Sequence, residues 1–365
     1  QSSNSVSVFL NNGNGTFAAK VDYTTGTDPS SVTAADFDND GDLDIAATSY
    51  TDSTVSVFLN NTISNSRFKI FDNTGAKSLL SIDASGATTI QSAQNSQQAL
   101  TVQSSSNNSA LTVDTFNRAT ILGSKDDTIY GDETAYVDDG GYPEHVMTAD
   151  LNNDGKQDIV AIVDTVSVYI NKGDGTYLPK VSYTAGTNPT RGTYADFDRD
   201  GDIDIAVSNQ TSNTVSIFLN NGSGVLTLSS SPATATTPYN VKAADFDKDG
   251  DIDLVAANYG SSSVSILLNN GNGTFAAKVD YTTLANPNDV VVGDIDKDGD
   301  IDVVVSLATG SGGLSVLKNN GNGTFAAKVD YSYPSSARGL EAADFDNDGD
   351  VDIAIHAIDE LKVYY

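Results

Sequence analysis

Apolar and polar positions alternate in short runs along most of the chain. Ser5-Val-Ser-Val-Phe-Leu10 and Phe17-Ala-Ala-Lys-Val-Asp-Tyr23 flank an Asn/Gly turn, and period-two alternation around such a turn predicts a β-hairpin. The same text returns nearly verbatim at 264–283 and 314–331, and more loosely at 166–183 and 215–228. Between hairpins lie an apolar run such as Val32-Thr-Ala-Ala35, an acidic stretch, and a second run such as Leu43-Asp-Ile-Ala-Ala47. Each unit therefore predicts four short antiparallel strands, A to D, with the acidic stretch joining A to B.

That stretch reads Asp36-Phe-Asp38-Asn-Asp40-Gly41-Asp42-Leu-Asp44 and has five further copies. The second offers Asp150, Asn152, Asp154, Lys156 and Asp158, and the third Asp196, Asp198, Asp200, Asp202 and Asp204. The fourth has Asp245, Asp247, Asp249, Asp251 and Asp253, and the fifth Asp294, Asp296, Asp298, Asp300 and Asp302. The sixth has Asp344, Asp346, Asp348, Asp350 and Asp352. Oxygen donors at positions one, three, five, seven and nine, with glycine at six for the sharp reversal, suit a hard divalent ion. We expect up to six Ca2+ ions, held structurally, because no loop offers an open coordination position beside a base. With Lys156 at position seven and Gln157 at eight, the second loop is expected to be the weakest site.

From Asp150 onward the first aspartates follow at intervals of 46, 49, 49 and 50 residues. A four-stranded unit at a period of 40 to 50 residues predicts a propeller blade. The interval from Asp36 to Asp150 is 114, about 65 residues too long, which places an insertion in the C-to-D turn of the first complete blade. The expected fold is all-β: a β-propeller of about six four-stranded blades over 1–61 and 129–365, with an inserted small β domain at 62–128. Ser78-Leu-Leu-Ser-Ile82, Ala99-Leu-Thr-Val102 and Ala110-Leu-Thr-Val113 supply its short strands, and the Ala-Leu-Thr-Val repetition is loosely similar to strands of phage tail fibres and bacterial surface fibres.

Six spaced copies of Asp-x-Asp-x-Asp-Gly-x-x-Asp between two strands resemble the FG-GAP/VCBS repeats of integrin-alpha-like propellers, everywhere except in the insertion. The resemblance implies calcium in the A-to-B loops. Where the integrin type has Gly-Ala-Pro after strand B, this chain has Ala47-Thr-Ser49, Val207-Ser-Asn209 and Ala257-Asn-Tyr259. The bacterial or archaeal VCBS type is therefore the nearer match, and integrin partners are not carried over.

Charge sharpens the picture. Asp plus Glu number 49 against 19 Lys plus Arg, a formal charge of −30, and 28 of the aspartates sit in the six loops. Six calcium ions would bring this to about −18. Such acidity disfavours nucleic acid as a partner. There is no cysteine, so packing, strand ladders and metal must supply stability. No apolar run approaches the ~18 residues of a membrane span. A basic segment followed by an apolar one is absent near Gln1, so any signal peptide is expected to be gone. Loops of this kind fill at about 0.1 to 1 mM calcium, which points to an extracellular or cell-surface location. Asn-x-Ser/Thr sites at Asn14, Asn60, Asn107, Asn209, Asn221, Asn272 and Asn322 make a glycoprotein conceivable.

At the opposite end of strand A, the two residues six and five before each first aspartate differ between blades: Ser30-Ser31, Glu144-His145, Thr190-Arg191, Tyr239-Asn240, Asn288-Asp289 and Arg338-Gly339. Variation within near-identical repeats is how a ring would acquire a specific binding funnel. The ligand-face candidates are His145, Arg191, Tyr239, Asn240, Asp289, Arg338 and His356, facing a protein or glycan. Two histidines, five arginines and no Ser/His/Asp spacing or phosphate loop argue against an enzyme, although some propellers of similar appearance are polysaccharide lyases or accompany phosphodiesterases.

The strand count leaves a remainder. The chain opens with a C–D hairpin and closes with A, B and Glu360-Leu-Lys-Val-Tyr-Tyr365 as a C strand. We expect an N-terminal strand to complete the last blade, leaving one C strand over. A spare edge would permit self-assembly by terminal strand exchange into a filament.

Overall fold

The computed structural model describes residues 4–9, 18–60, 70–71, 78–82, 88–90, 134–137, 143–307, 313–332, 337–345, 348–357 and 361–364. Asp346 lies outside them, as do 99–102 and 110–113 of the insertion. Among the described residues every regular element is a strand, and no helix is long and apolar enough to cross a membrane. The chain divides into two units, 1–59 with 132–365, and 60–131.

The first unit is a propeller. It opens with a two-stranded hairpin, β1 (Ser5–Val8) and β2 (Val21–Thr24). Blade one follows as β3 (Pro29–Ala35), β4 (Asp44–Ser49) and β5 (Thr54–Phe58). In the second unit, β6 (Ile70–Phe71), β7 (Ser78–Ile82) and β8 (Thr88–Ile90) form a small antiparallel sheet of their own. The chain then returns to blade one as β9 (Thr134–Val137), which pairs with β5. The second unit is thus spliced between strands C and D of blade one.

Blade two is β10 (His145–Ala149), β11 (Asp158–Ile162), β12 (Val166–Tyr169) and β13 (Val181–Tyr183). Blade three is β14 (Pro189–Ala195), β15 (Asp204–Asn209), β16 (Thr214–Asn220) and β17 (Leu226–Ser230). Blade four is β18 (Pro238–Ala244), β19 (Asp253–Asn258), β20 (Ser263–Leu267) and β21 (Val279–Thr282). Blade five is β22 (Pro287–Gly293), β23 (Asp302–Leu307), β24 (Gly313–Leu317) and β25 (Val329–Ser332). Blade six has three described strands, β26 (Ala337–Ala343), β27 (Asp352–Ala357) and β28 (Leu361–Tyr364). Among the described residues β28 takes its expected place as strand C beside β27 and β1 pairs with β2, so the expected fourth strand of this blade is not seen among them.

Strands B and C of blades one to five are buried on both faces, which is why they read as nearly continuous Val/Ile/Ala runs, whereas the outer D strands keep exposed valines such as Val181 and Val279. Apolar clusters join blades one to two, two to three, three to four, four to five and five to six. Each inner strand except β10 carries a bulge near its start, as between Pro189 and Gly192 and between Pro287 and Asp289. Bulges re-aim side chains, and these fall at the blade-variable positions.

Candidate metal loops and a polar cluster on the opposite face

Every A-to-B loop folds by the same local rules. The first aspartate accepts from the glycine N–H at position six, from Gly41 to Asp36 at 2.9 Å through Gly349 to Asp344 at 2.9 Å. In loops one to four the position-three side chain accepts from the N–H at five, and in all six the position-five carboxylate accepts from the N–H at seven, as in Asp38–Asp40 and Asp40–Asp42. In loops one to five position four is left-handed, with φ of 63° at Asn39, 63° at Arg199 and 61° at Lys248. Asparagine tolerates this region better than a long side chain does.

The ninth residue is the anchor. Asp44, Asp158, Asp204, Asp253, Asp302 and Asp352 are all buried. Oδ2 accepts from the position-two N–H, as from Phe197 to Asp204 at 2.8 Å, and Oδ1 accepts from an asparagine opening the C-to-D turn, as from Asn220 at 2.8 Å. Burial pushes Asp158 up to about 6 and Asp204 and Asp253 up to about 7, against the pull of these bonds, and raises Asp302 likewise. Asp38, Asp198 and Asp247 are raised first by desolvation and then by neighbouring carboxylates. A cation would relieve both strains.

Carboxylate oxygens come within 4.8 Å of one another in four loops: Asp36 with Asp38 and Asp40, Asp196 with Asp198 and Asp204, Asp245 with Asp247 and Asp253, and Asp294 with Asp296 and Asp302. The buried Oδ1 of Asp245 has no protein donor. All donors are oxygens, which fits a hard ion such as Ca2+ and not a thiophilic one. In the second loop Lys156 Nζ donates to Asp154 at 2.9 Å and Asn152 stands at position three, so the group of three carboxylates is not repeated there. In the sixth loop Asp344, Asp348 and Asp352 keep the backbone pattern.

The position-seven carboxylates also touch the neighbouring loop. Asp251, Asp300 and Asp350 pair with Arg199, Lys248 and Lys297 at position four of the preceding loop, and Asp202 accepts from Asn153 at 2.7 Å. These contacts tie the left-handed position-four residues of one loop to the next loop.

The residues that sequence reasoning missed are the turn asparagines. Asn171 Nδ2 donates to Phe37 O at 2.9 Å, Asn220 to Leu151 O at 2.7 Å, Asn269 to Phe197 O at 2.8 Å and Asn319 to Phe246 O at 2.8 Å. Each reaches from its own blade to the position-two carbonyl of the loop before it. Gly224, Gly273 and Gly323 add an N–H to the carbonyls of Leu151, Phe197 and Phe246. Rings complete the joint, with Tyr177 on Phe37, Phe275 on Phe197 and Phe325 on Phe246 at 5.5–6.3 Å between centroids. The verbatim Asn-Asn-Gly text was the available signal. Asn209 is a correction: it is buried, donates to Ser216 at 2.9 Å and accepts from Gly186 N–H at 3.0 Å, so no glycan fits on it in the folded chain.

At the other end of the inner strands the variable residues meet. Asp289 is buried, accepts from Asn240 and from Leu340 N–H at 2.9 Å, and lies 3.7 Å from Arg191 Nη1. Arg191 stands over the Tyr239 ring at 5.5 Å, and Thr190 donates to Tyr239 O at 2.8 Å. His145 Nδ1 accepts from Gly192 N–H at 3.4 Å, and Ser31 Oγ accepts from Val146 N–H at 3.3 Å. These bonds pass from blade one to blade six. Although part of its surface stays accessible, His145 is pushed down to about 3 by desolvation, then by the positive charges of Arg191 and Lys242. Burial raises Glu144 despite Arg191. His356 is exposed on β27, and Arg338 forms the bulge of β26.

A family model described as FG-GAP-like repeat matches residues 1–47, 150–207, 196–256, 245–305 and 304–355. No curated protein matches the sequence. Among solved structures, a protein of unknown function from Desulfotomaculum acetoxidans is similar at TM-score 0.56 and 12% identity, over 100% of this chain and 92% of that one. A Bacteroides fragilis protein named as a candidate 6-phosphogluconolactonase is similar at 0.54 and 14%, over 100% and 95%. An Agrocybe aegerita lectin that recognises non-reducing terminal N-acetylglucosamine gives 0.49 and 20%, over 90% and 74%. At these identities the first two likenesses concern the fold alone.

Proposed function

Since this chain belongs to the FG-GAP-like repeat family, we propose that it is a non-catalytic binding propeller, braced by calcium on one face and contacting a protein or glycan ligand with the other. The observation that carries this reading is the convergence of His145, Arg191, Tyr239, Asn240 and Asp289, from blades two to five, into one bonded cluster, with the Glu144 carboxyl in the field of Arg191. In the loops, Asp36, Asp38 and Asp40, and the first, third and ninth residues of loops three to five, would hold the ions, which supply charge neutralisation and rigidity. Oxygen-only loops with affinities of about 0.1 to 1 mM suit an extracellular or surface setting. Binding, not turnover, is favoured because burial and nearby positive charge hold His145 neutral at physiological pH with Nδ1 already engaged, and among the described residues no nucleophile is paired with it.

A screen of immobilised glycans and extracellular proteins, with 2 mM calcium as a roughly saturating condition, tests the reading. Arg191→Ala and Tyr239→Ala are expected to weaken any captured ligand about tenfold or more, the range of a buried contact in a specific interface. A screen without a captured ligand, or capture indifferent to both variants, would sink it.

A further inference from the structure

At their bulged ends the inner strands share a recurring bond. The side chain five residues before a first loop aspartate accepts from the backbone N–H four before the next one, in the following blade. Ser31 Oγ accepts from Val146 N–H at 3.3 Å, His145 Nδ1 from Gly192 N–H at 3.4 Å, and Asp289 Oδ2 from Leu340 N–H at 2.9 Å. Each bond occupies a buried backbone donor that would otherwise go unpaired. Arg191 breaks the pattern, because a guanidinium has no acceptor to offer. Val241 N–H, in the equivalent place of blade four, turns instead to Asn240 Oδ1 of its own strand at 2.7 Å. Asn240 therefore meets blade five with its Nδ2, on Asp289 Oδ1, and Val290 N–H takes the same oxygen at 2.9 Å. Two blades are rearranged around one side chain.

Nor is Arg191 needed as a counter-ion. Asp289 is buried and already accepts three N–H groups, from Asn240, Val290 and Leu340. A carboxylate bonded in this way is stabilised without a partner charge. Arg191 Nη1 lies 3.7 Å from it, beyond hydrogen-bond length. The guanidinium carbon stands 5.5 Å above the Tyr239 ring, the two side chains share a hydrogen bond, and the arginine remains 25% exposed. Stacking fixes the plane of the fork, and five donors are more than these contacts use. A repeat that abandons a structural rule without a structural gain marks a place where function took precedence.

We propose that Arg191 is the seat for a carboxylate of the ligand, and that this ligand is an acidic sugar with one carboxylate on its ring, a uronate. The inference rests on the binding reading above and names its chemistry. A planar guanidinium matches a carboxylate with two parallel bonds. Lys242 adds positive charge nearby, since it and Arg191 both act on His145. With Nδ1 accepting from Gly192, neutral His145 carries its proton on Nε2, a donor suited to a hydroxyl. The chain's formal charge of −30 repels a polyanion, and a single carboxylate among hydroxyls suffers least from it. A peptide would want apolar or aromatic anchors, whereas this cluster is polar and its Tyr239 ring has Arg191 over it.

The probes are methyl glucuronide and methyl glucoside, which differ in the carboxylate alone, titrated into the full chain in calcium by calorimetry or ligand-observed NMR. The glucuronide is expected to bind about tenfold more tightly, the range of a hydrogen bond to a charged group. Arg191→Gln is expected to erase that preference while leaving the melting temperature nearly unchanged, because Asp289 keeps its three donors. Glu144→Gln, which removes a like charge, should strengthen glucuronide binding several-fold. Equal binding of the two sugars, a preference that survives Arg191→Gln, or a melting temperature that collapses in that variant would overturn the proposal. Tighter binding of an acetylated tripeptide ending in glutamate would overturn the sugar by assigning the seat to a peptide carboxylate. Capture of a neutral ligand that Arg191→Ala abolishes would overturn this inference and leave the binding propeller standing. Failure to bind either sugar or to capture anything in the screen would sink both.

Discussion

The two ends of each inner strand obey different rules. At the loop end, blades three, four and five repeat one another almost atom for atom: Asp204, Asp253 and Asp302 each bind two backbone N–H groups, and an asparagine from the next blade grips each position-two carbonyl of loops three and four. At the bulged end, Arg191, Asn240 and Asp289 occupy equivalent places with unlike chemistry, and their bonds join one blade to another rather than closing a local turn. Repetition marks what every blade needs to stand beside its neighbour. Variation marks what the ring needs only once.

Chelation tests the repeated end most severely. If four clusters hold calcium at about ten times the dissociation constant, removal costs about 1.4 kcal/mol at each, on the order of 6 kcal/mol in all. For a chain of this size that lowers the melting temperature by on the order of 10 °C, measurable by calorimetry with and without chelator. An unchanged melting temperature would separate the loops from metal altogether.

A single joint comes next. Asn269→Ala strips bonds from the carbonyls of Phe197 and Ile252 in a buried setting and is expected to cost about 2 kcal/mol in denaturant titrations. Arg191→Ala at the variable end should cost distinctly less stability while abolishing recognition. Equal losses at both positions would erase the distinction between the two ends.

The smallest effect is a dependence on pH with opposite signs. In calcium-free protein, Asp158, Asp204 and Asp253 have folded pKa values of about 6 to 7, above the ordinary 3.8. The native state then binds more protons than the unfolded chain between pH 4 and 7, so stability falls as pH rises through that window. The melting temperature of chelated protein is expected to climb a few degrees from pH 7.5 to 5.5. In calcium the trend should reverse, because protons then compete with the ion.

Much of this was legible in the sequence, and the reason is periodicity. Alternation gave the strands, the recurring glycine and aspartates gave the loops, and the long interval after Asp36 located the insertion between β5 and β9. What escaped was contact between units. Asn-Asn-Gly reads as a local turn, and nothing in its text says that Asn269 bonds a carbonyl 72 residues earlier. Likewise nothing in the text of its own loop says that Asp251 meets Arg199, which follows from successive loops standing side by side. Asn209 matches a surface modification pattern, but its burial depends on the blade around it.

The asparagine joints also set where the molecule gives way. Each links a blade only to its neighbour, so cooperativity in the propeller is passed along by nearest-neighbour couplings. Blades two to four, each gripped by such joints on both sides, are therefore expected to be the last to exchange their amide hydrogens.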